Sequence, residues 1–423
     1  MSDDRPIGYE KAMEVLQACG SEHGFLASPT PQTNYNRVWG RDSAIISLAA
    51  LLSEREDLVE CSRRTFETLA DHQGPHGEIP SNVDPETDRV SYGGTVGRVD
   101  ADLWFIIGAA EHWKATGDDE FLERVLPAIE KTFFLLGAWE FNDRGLIYVP
   151  LTGDWADEYL QEGYVLYDQA LYHQALAARA EIHRHVHGTA DHALQERLIR
   201  LNHLIRSNYW FGSETGEPMP YVYHESLYRK GREAAPQREG RYWMPFFSPI
   251  GYGYRFDAFA NVLVSLFGIA DDEQRAAVDS FVFDELLDEE LPVLPAFHPV
   301  IEPEDAVAWA ELQMSFSFTF RNRPFEYHNG GLWPLISGFH AADLAARGEL
   351  KRASLILEGI HAANALPHKD LDEWSFPEFV HGKEHTAGGT QLQGWSAAAA
   401  VTATHAIEGS RVFRIGPAVA DDP

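Results

Sequence analysis

Apolar residues recur at three- and four-residue spacing through most of the chain. That spacing predicts twelve helices, over 7–19, 41–54, 57–72, 100–117, 119–138, 166–186, 191–208, 254–269, 272–286, 331–347, 349–365 and 393–407. Strand-like alternation is scarce, and residues 145–151 (Gly-Leu-Ile-Tyr-Val-Pro-Leu) are the best short candidate. Polar loops rich in Gly and Pro separate the helices, at 28–40, 74–98, 152–165, 212–250, 288–305, 321–330 and 367–392. A dozen helices in consecutive pairs, with long loops recurring between pairs, predicts an all-α (α/α)6 barrel. In that fold six inner and six outer helices alternate, and the loops at one end build a funnel. An open α-solenoid would show self-similar repeats, and none is found. No linker or composition shift divides the chain, so one domain is expected over 1–423, with short flexible ends at about 1–6 and 412–423.

Composition adds three points. Eleven Trp are more than packing usually demands, and sugar sites use such rings well. The formal charge of -31, from 65 acidic and 34 basic residues, repels nucleic acid and anionic membranes, so neither is an expected partner. Only seven of the basic residues are Lys, against 27 Arg. This acidic, Lys-poor balance resembles proteins of salt-accumulating halophiles and predicts stabilisation by molar KCl. Cys19 and Cys61 are too few for a disulfide framework and are either core thiols or a single bridge. The first residues lack a basic segment followed by an apolar run, and no stretch of about 18 apolar residues occurs. A soluble cytoplasmic protein is expected.

The candidate chemistry lies in the loops. Two acidic stations are walled by aromatics: Gly153-Asp154-Trp155-Ala156-Asp157-Glu158-Tyr159 and Trp374-Ser375-Phe376-Pro377-Glu378-Phe379. Hydrolysis of a glycosidic bond needs such a pair, one carboxyl holding a proton near neutral pH and the other ionised. Apolar walls raise the pKa of the acid. Three further loops share this polar, aromatic character. Tyr35 to Ser43 holds Trp39, Arg41 and Asp42; Asp42 suits a helix cap, and Arg41 with Asp42 suits a charged fork for sugar hydroxyls. Gly93 to Trp104 places Asp100 and Asp102 at a helix start, where the dipole favours them and where they could also bind sugar. Phe325 to Pro334 contains Tyr327, His328 and Asn329; His328 is better read as a hydrogen-bonded support than as a base. Gln393 and Trp395 open the last helix. No pair of His or Cys at ligand spacing accompanies the acidic stations, so no metal and no cofactor is expected. Signatures of Ser nucleophiles, phosphate loops and zinc proteases are absent from the sequence.

At these loops the chain resembles glycoside hydrolase family 100, the alkaline and neutral invertases. The family's R-V-W-P-R-D-F corresponds to Arg37 to Ser43, and its G-R-V…V-D-x-x-L-W-W to Gly97 to Phe105, which places its aspartate on Asp100. Its loop around I-D-R-R-M-G and L-E-I-Q-A-L-F-Y corresponds to Ala156 through Gly163 and to Gln169-Ala170-Leu171-Tyr172. Its R-F-F-A-x-G-N is echoed by Arg255 to Asn261, and its Y-H-N-G-G-S-W-P by Tyr327 to Pro334. Its W-P-E-Y-Y-D matches Phe376 to Phe379, and its Y-Q-T-W-S matches Leu392 to Ser396. The order is colinear over roughly 35–400. The resemblance implies a cytosolic (α/α)6 barrel that cleaves sucrose with inversion, with Asp157 as general acid and Glu378 as general base. It implies a sugar site drawn from Tyr35, Trp39, Arg41, Asp42, Asp100, Asp154, Trp155, Gln169, Tyr327, His328, Asn329, Gln393 and Trp395. Members oligomerise, which makes a homo-oligomer an expectation. The loop after Asp157 is one residue shorter than the family's, which leaves Asp154 as a competitor for the acid. The G-D-W-N-D of disaccharide phosphorylases, whose acid is the second Asp, is similar to Gly153–Asp157 and favours Asp157. Asp257 replaces a family Phe and Gly40 a Pro, which bears on the choice of sugar. Families 63 and 37 and the debranching glucosidases are similar more loosely, so trehalose, glucosylglycerate and α-1,6-linked glucans stand beside sucrose. A phosphorylase and a non-catalytic sugar-binding barrel are the remaining alternatives.

Overall fold

The computed structural model describes residues 5–31, 34–212, 221–235, 240–315 and 319–416. The helices are α1 (Ile7–Cys19), α2 (Asp42–Ser53), α3 (Glu56–Asp71), α4 (Val99–Thr116), α5 (Asp119–Ala138), α6 (Leu166–His187), α7 (His192–Tyr209), α8 (Glu225–Ala234), α9 (Ala258–Leu266), α10 (Asp272–Phe281), α11 (Ala306–Met314), α12 (Pro334–Ala346), α13 (Leu350–Asn364) and α14 (Gly394–Ile407). All twelve expected helices are present, and α8 and α11 are additional. The predicted helix over 254–269 begins only at Ala258, because Asp257 caps it by accepting from Ala260 N. Pro334 sits in the first turn of α12 and delays its start in the same way. The 145–151 segment is no strand, and only Val149 pairs, as an isolated bridge to Gly163.

Helices α2, α4, α6, α9, α12 and α14 each pack on the next, and α14 returns to α2, closing a ring of six. Their buried residues run along every face: residues 42–52 of α2, 258–265 of α9 and 394–406 of α14 are all buried. Helices buried all round lie between a core and an outer layer. That outer layer is amphipathic; α3, for example, buries Leu58, Cys61, Thr65, Phe66 and Leu69 and exposes much of its other face. The architecture is an (α/α)6 barrel with one continuous apolar cluster from α1 to α14. No helix among the described residues is long and apolar enough to cross a membrane. Cys19 and Cys61 are free buried thiols, so the bridge is not formed.

The inner helices run parallel, since residues at their N-termini bond to one another. Arg41, just ahead of α2, reaches Asp100 of α4; Tyr167 of α6 also reaches Asp100, and Gln393 ahead of α14 reaches Asp42 of α2. Short antiparallel ladders precede these helices: Val38–Trp39 with Asn82–Asp84, Tyr164–Val165 with Phe246–Ser248, and Phe256–Asp257 with Phe297–His298. At the opposite end the last described segment closes the barrel. Glu111 of α4 accepts from Arg414 N at 2.8 Å and Ile415 N at 3.0 Å, and Gln174 Nε2 donates to Ile415 O at 2.7 Å. Val412 and Ile415 are buried, and Phe413 packs on Phe267 and Phe339. Residues 412–415 are therefore packed against the core rather than a loose end, while 1–4 and 417–423 lie outside the described residues.

Candidate active site

Glu378 lies in the loop between α13 and α14, 2% exposed. Tyr35 donates its hydroxyl to Glu378 Oε1 at 2.6 Å, and Thr390 N donates to Oε2 at 3.0 Å. Burial raises the Glu378 carboxyl above its usual range, while the Tyr35 hydrogen bond and Arg321 pull it back. The surrounding backbone is strained: Trp374, Phe376 and Leu392 hold positive φ, at 52°, 44° and 51°. Gly389, at φ 76°, passes so close that a Cβ there would collide with the Glu378 carboxylate. A cavity of about 380 Å³ opens on Glu378, with Tyr35, Arg321, Glu326 and Tyr327 in its walls. Tyr35 thus holds Glu378 as well as lining the cavity, and Trp39 stacks on it at 5.6 Å.

The other station is divided between its two aspartates. Asp154, 1% exposed, accepts from Ala156 N at 2.9 Å and from Gln161 Nε2 at 2.8 Å, and so shapes its own loop. Burial, with Asp100 nearby, pushes its carboxyl up to about 7. Asp157 is a quarter exposed on its side chain and takes Arg98 Nη2 at 2.7 Å. Arg98 is braced by Thr152 O at 2.8 Å. Glu158, beside Asp157, keeps a buried Oε2 with no hydrogen-bond partner among the described residues, and burial pushes it up to about 7 against the pull of Arg321. Asn322 ties the two loops together, donating to Glu158 O and accepting from His328 N and Asn329 N.

The N-termini of the inner helices form the floor. Arg41 Nη1 donates to Asp100 Oδ2 at 2.8 Å, and Gln393 Nε2 to Asp42 Oδ1 at 3.0 Å. Asp42 does not cap α2; no side-chain cap bond exists there, because its carboxyl turns inward to Gln393. Burial pushes it up to about 7 despite Arg41 alongside. Several buried polar atoms here lack a hydrogen-bond partner among the described residues: Asp42 Oδ2, Asp100 Oδ1, Gln393 Oε1, and the indole nitrogens of Trp155 and Trp395. Buried groups are nearly always paired, with protein or with ordered water, so such a cluster leaves polar capacity open to water or to a ligand. His328 also has both nitrogens unpartnered, and burial lowers it to about 3, so it is uncharged. It is wedged at 5.4 Å on Trp333 and 5.0 Å from Trp155, a ring held by aromatics and not the hydrogen-bonded support expected.

Two expected sugar contacts are structural. Gln169 exchanges both amide bonds with Ile147, at 3.1 and 2.8 Å, and pins the 146–149 segment. Asn329 spends its amide on Ile301 N, Ile301 O and Asn322 O. Both side chains are fully buried, and these bonds all go to backbone. Arg98, Arg321, Asn322 and Thr390 were not singled out from sequence, and Glu158 stood out only as the neighbour of Asp157 in the acidic station. For Arg98 a signal existed, since it sits inside the glycine-rich motif that carries Asp100.

A buried carboxylate and an accessible one, in loops ahead of the inner helices of an (α/α)6 barrel whose floor holds acceptors and indoles without partners among the described residues, mark a glycoside hydrolase. Residues 87–409 match the family model of the alkaline and neutral invertases, and the chain belongs to that family, glycoside hydrolase family 100. It is 26% identical over 440 residues to alkaline/neutral invertase E of Arabidopsis thaliana, chloroplastic, covering 91% of this chain and 68% of that protein. It is 25% identical to neutral/alkaline invertase 3 of Oryza sativa subsp. japonica, chloroplastic, over 95% and 72%. Among solved structures, a bacterial glucoamylase complexed with acarbose superposes with TM-score 0.66 at 15% identity, over 97% of this chain and 56% of that one. The family 63 mannosylglycerate hydrolase of Thermus thermophilus superposes at 0.62 and 15%, over 94% and 99%.

Proposed function

We propose that the protein is an inverting glycosidase acting on a small α-glucoside, with sucrose the first candidate, and that it works as one domain in the cytoplasm. The observation that carries this reading is the buried Glu378, aimed by Tyr35 and Thr390 into a cavity, with Asp157 near enough for its charge to act on the Glu378 carboxyl. Asp157 gives its proton to the glycosidic oxygen as the C1–O bond breaks. Glu378 takes a proton from water, whose oxygen bonds to C1 from the opposite face. The products are β-glucose and the leaving sugar. Arg98 already pairs Asp157 as a carboxylate in the structure, so Asp157 takes up a proton before it donates one, and Arg98 pairs it again afterwards. Asp42, Asp100 and Gln393 offer acceptors to the hydroxyls of the glucose ring, and Trp155 and Trp395 offer N–H donors. The names of the plant relatives support sucrose as substrate.

The test is a panel of sucrose, trehalose, maltose, isomaltose and glucosylglycerate, with released sugar followed by NMR. β-Glucose should appear first from one substrate, and Asp157→Asn and Glu378→Gln should each lower kcat by about 10²–10⁴-fold. Release of α-glucose would exclude inversion, and full activity in either variant would exclude that residue.

A further inference from the structure

A second cavity, of about 420 Å³, lies behind the acid loop and shares no lining residue with the one that holds Glu378. Its walls are aromatic, with Tyr159, Tyr242, Tyr254 and Phe297 among them. Helix α11 forms its roof through Ala308 and Glu311. That helix is lightly anchored, with Leu312 its one buried residue. Its C-cap residue Ser315 donates to Glu158 O at 2.8 Å, which ties the roof to the acid loop. Tyr159 is 2% exposed and stacks on Phe297 at 4.2 Å, yet its hydroxyl has no hydrogen-bond partner among the described residues. Arg255 Nε is unpartnered too, and this guanidinium comes no nearer to Asp305 than 3.7 Å.

We propose that this cavity is a binding site for a neutral mono- or disaccharide, separate from the catalytic pair. Its volume lies in the range of small-molecule sites. Aromatic faces suit the C–H faces of pyranose rings. The two unsatisfied groups, a phenol and a guanidinium N–H, are donors, so the ligand must bring acceptors. A sugar brings hydroxyl oxygens, whereas a purely apolar ligand would leave both donors buried and unmet. An anion would meet Arg255, but also Glu311 in the roof and Asp257 beside Tyr159. Occupancy would be felt at Asp157 through Tyr159, two residues on, and through Ser315. The inference goes beyond the proposed activity, and its test requires no turnover.

Ala308→Cys places a thiol in the lining. Cys19 and Cys61 are buried, and burial raises both thiols, so a maleimide reads position 308. Glucose or sucrose should slow labelling of the full-length Ala308→Cys chain in a saturable way. Adding Tyr159→Phe or Arg255→Met should raise the protecting concentration about three- to tenfold, the size of one lost hydrogen bond. Adding Asp42→Asn should leave protection unchanged, since Asp42 belongs to the other site. A labelling rate indifferent to sugar would overturn the proposal. So would protection that survives both lining changes, or that vanishes with Asp42→Asn. A chain that cleaves no glycoside yet shows this protection would sink the activity and keep the second site.

Discussion

The two ends of the barrel bury carboxyl groups in opposite ways. At the C-terminal ends of the inner helices, both Glu111 oxygens are taken by backbone amides of Arg414 and Ile415. At the N-terminal ends, Asp42 and Asp100 each keep one oxygen without a partner among the described residues, and Asp168 keeps two. Desolvation is similar at both ends, since all four side chains are buried. What differs is satisfaction. The far end uses its polar groups for closure and stability. The near end leaves acceptors beside indole N–H groups without partners among the described residues, polar capacity that water or a bound polyol can meet.

Substitutions at either end of the barrel test this difference. The largest effect is expected at the closing segment: Glu111→Ala strands two buried amides and should cost about 2–4 kcal/mol of stability, read by denaturant melts. Turnover per folded molecule should be unchanged; a loss of kcat there would mean that the two ends are coupled. Asp42→Asn should do the reverse, lowering kcat/KM about 10–100-fold while raising the melting temperature. A destabilised Asp42→Asn protein would show that its carboxylate is structural.

Next comes pH. Asp42, Asp154, Asp257 and Glu111 are all pushed up to about 7, and Asp168 is raised as well, each mainly by burial. A carboxyl whose folded pKa exceeds its unfolded value binds its proton more tightly when folded. Its contribution is complete below about pH 4 and is lost as pH rises through about 7. Stability should therefore fall from pH 5 to pH 8, and Asp168→Asn should flatten that slope. A melting temperature that climbs over this range would refute the assignment.

Smaller still is the Tyr35→Phe effect. Its hydroxyl favours the ionised Glu378, so its loss should move the acid limb of kcat/KM to higher pH. An unmoved limb would separate Glu378 from that limb. The smallest is a rise of a few degrees in melting temperature in molar KCl, from screening of the -31 charge. No rise would leave the acidic surface without a salt-dependent role.

The long helices were legible because their periodicity is strong, whereas α8 and α11 were not. In α11 apolar residues point outward, as the exposed Val307 and Met314 show, and the short run carries no readable face. The acid loop and the Glu378 loop were legible as carboxylates among aromatics. Their roles could not be read so directly. Gln169 and Asn329 sit in polar motifs yet serve only backbone, a matter settled by loops distant in sequence. The backbone strain at Trp374, Phe376 and Leu392 leaves no mark in composition, since none of them is glycine. Arg321 looks in sequence like any loop arginine, and becomes significant only where it lies over Tyr327 beside Glu378.

The hydrogen bond between Asp42 and Gln393 joins positions 351 residues apart. The floor of the candidate site therefore rests on one of the longest-range contacts the chain can make, and such contacts form late because loop closure must precede them. During synthesis Asp42, on the first inner helix, has no Gln393 to accept from until the last inner helix emerges. A partly made barrel lacks this pair, so under the proposed function activity waits until the last inner helix is in place.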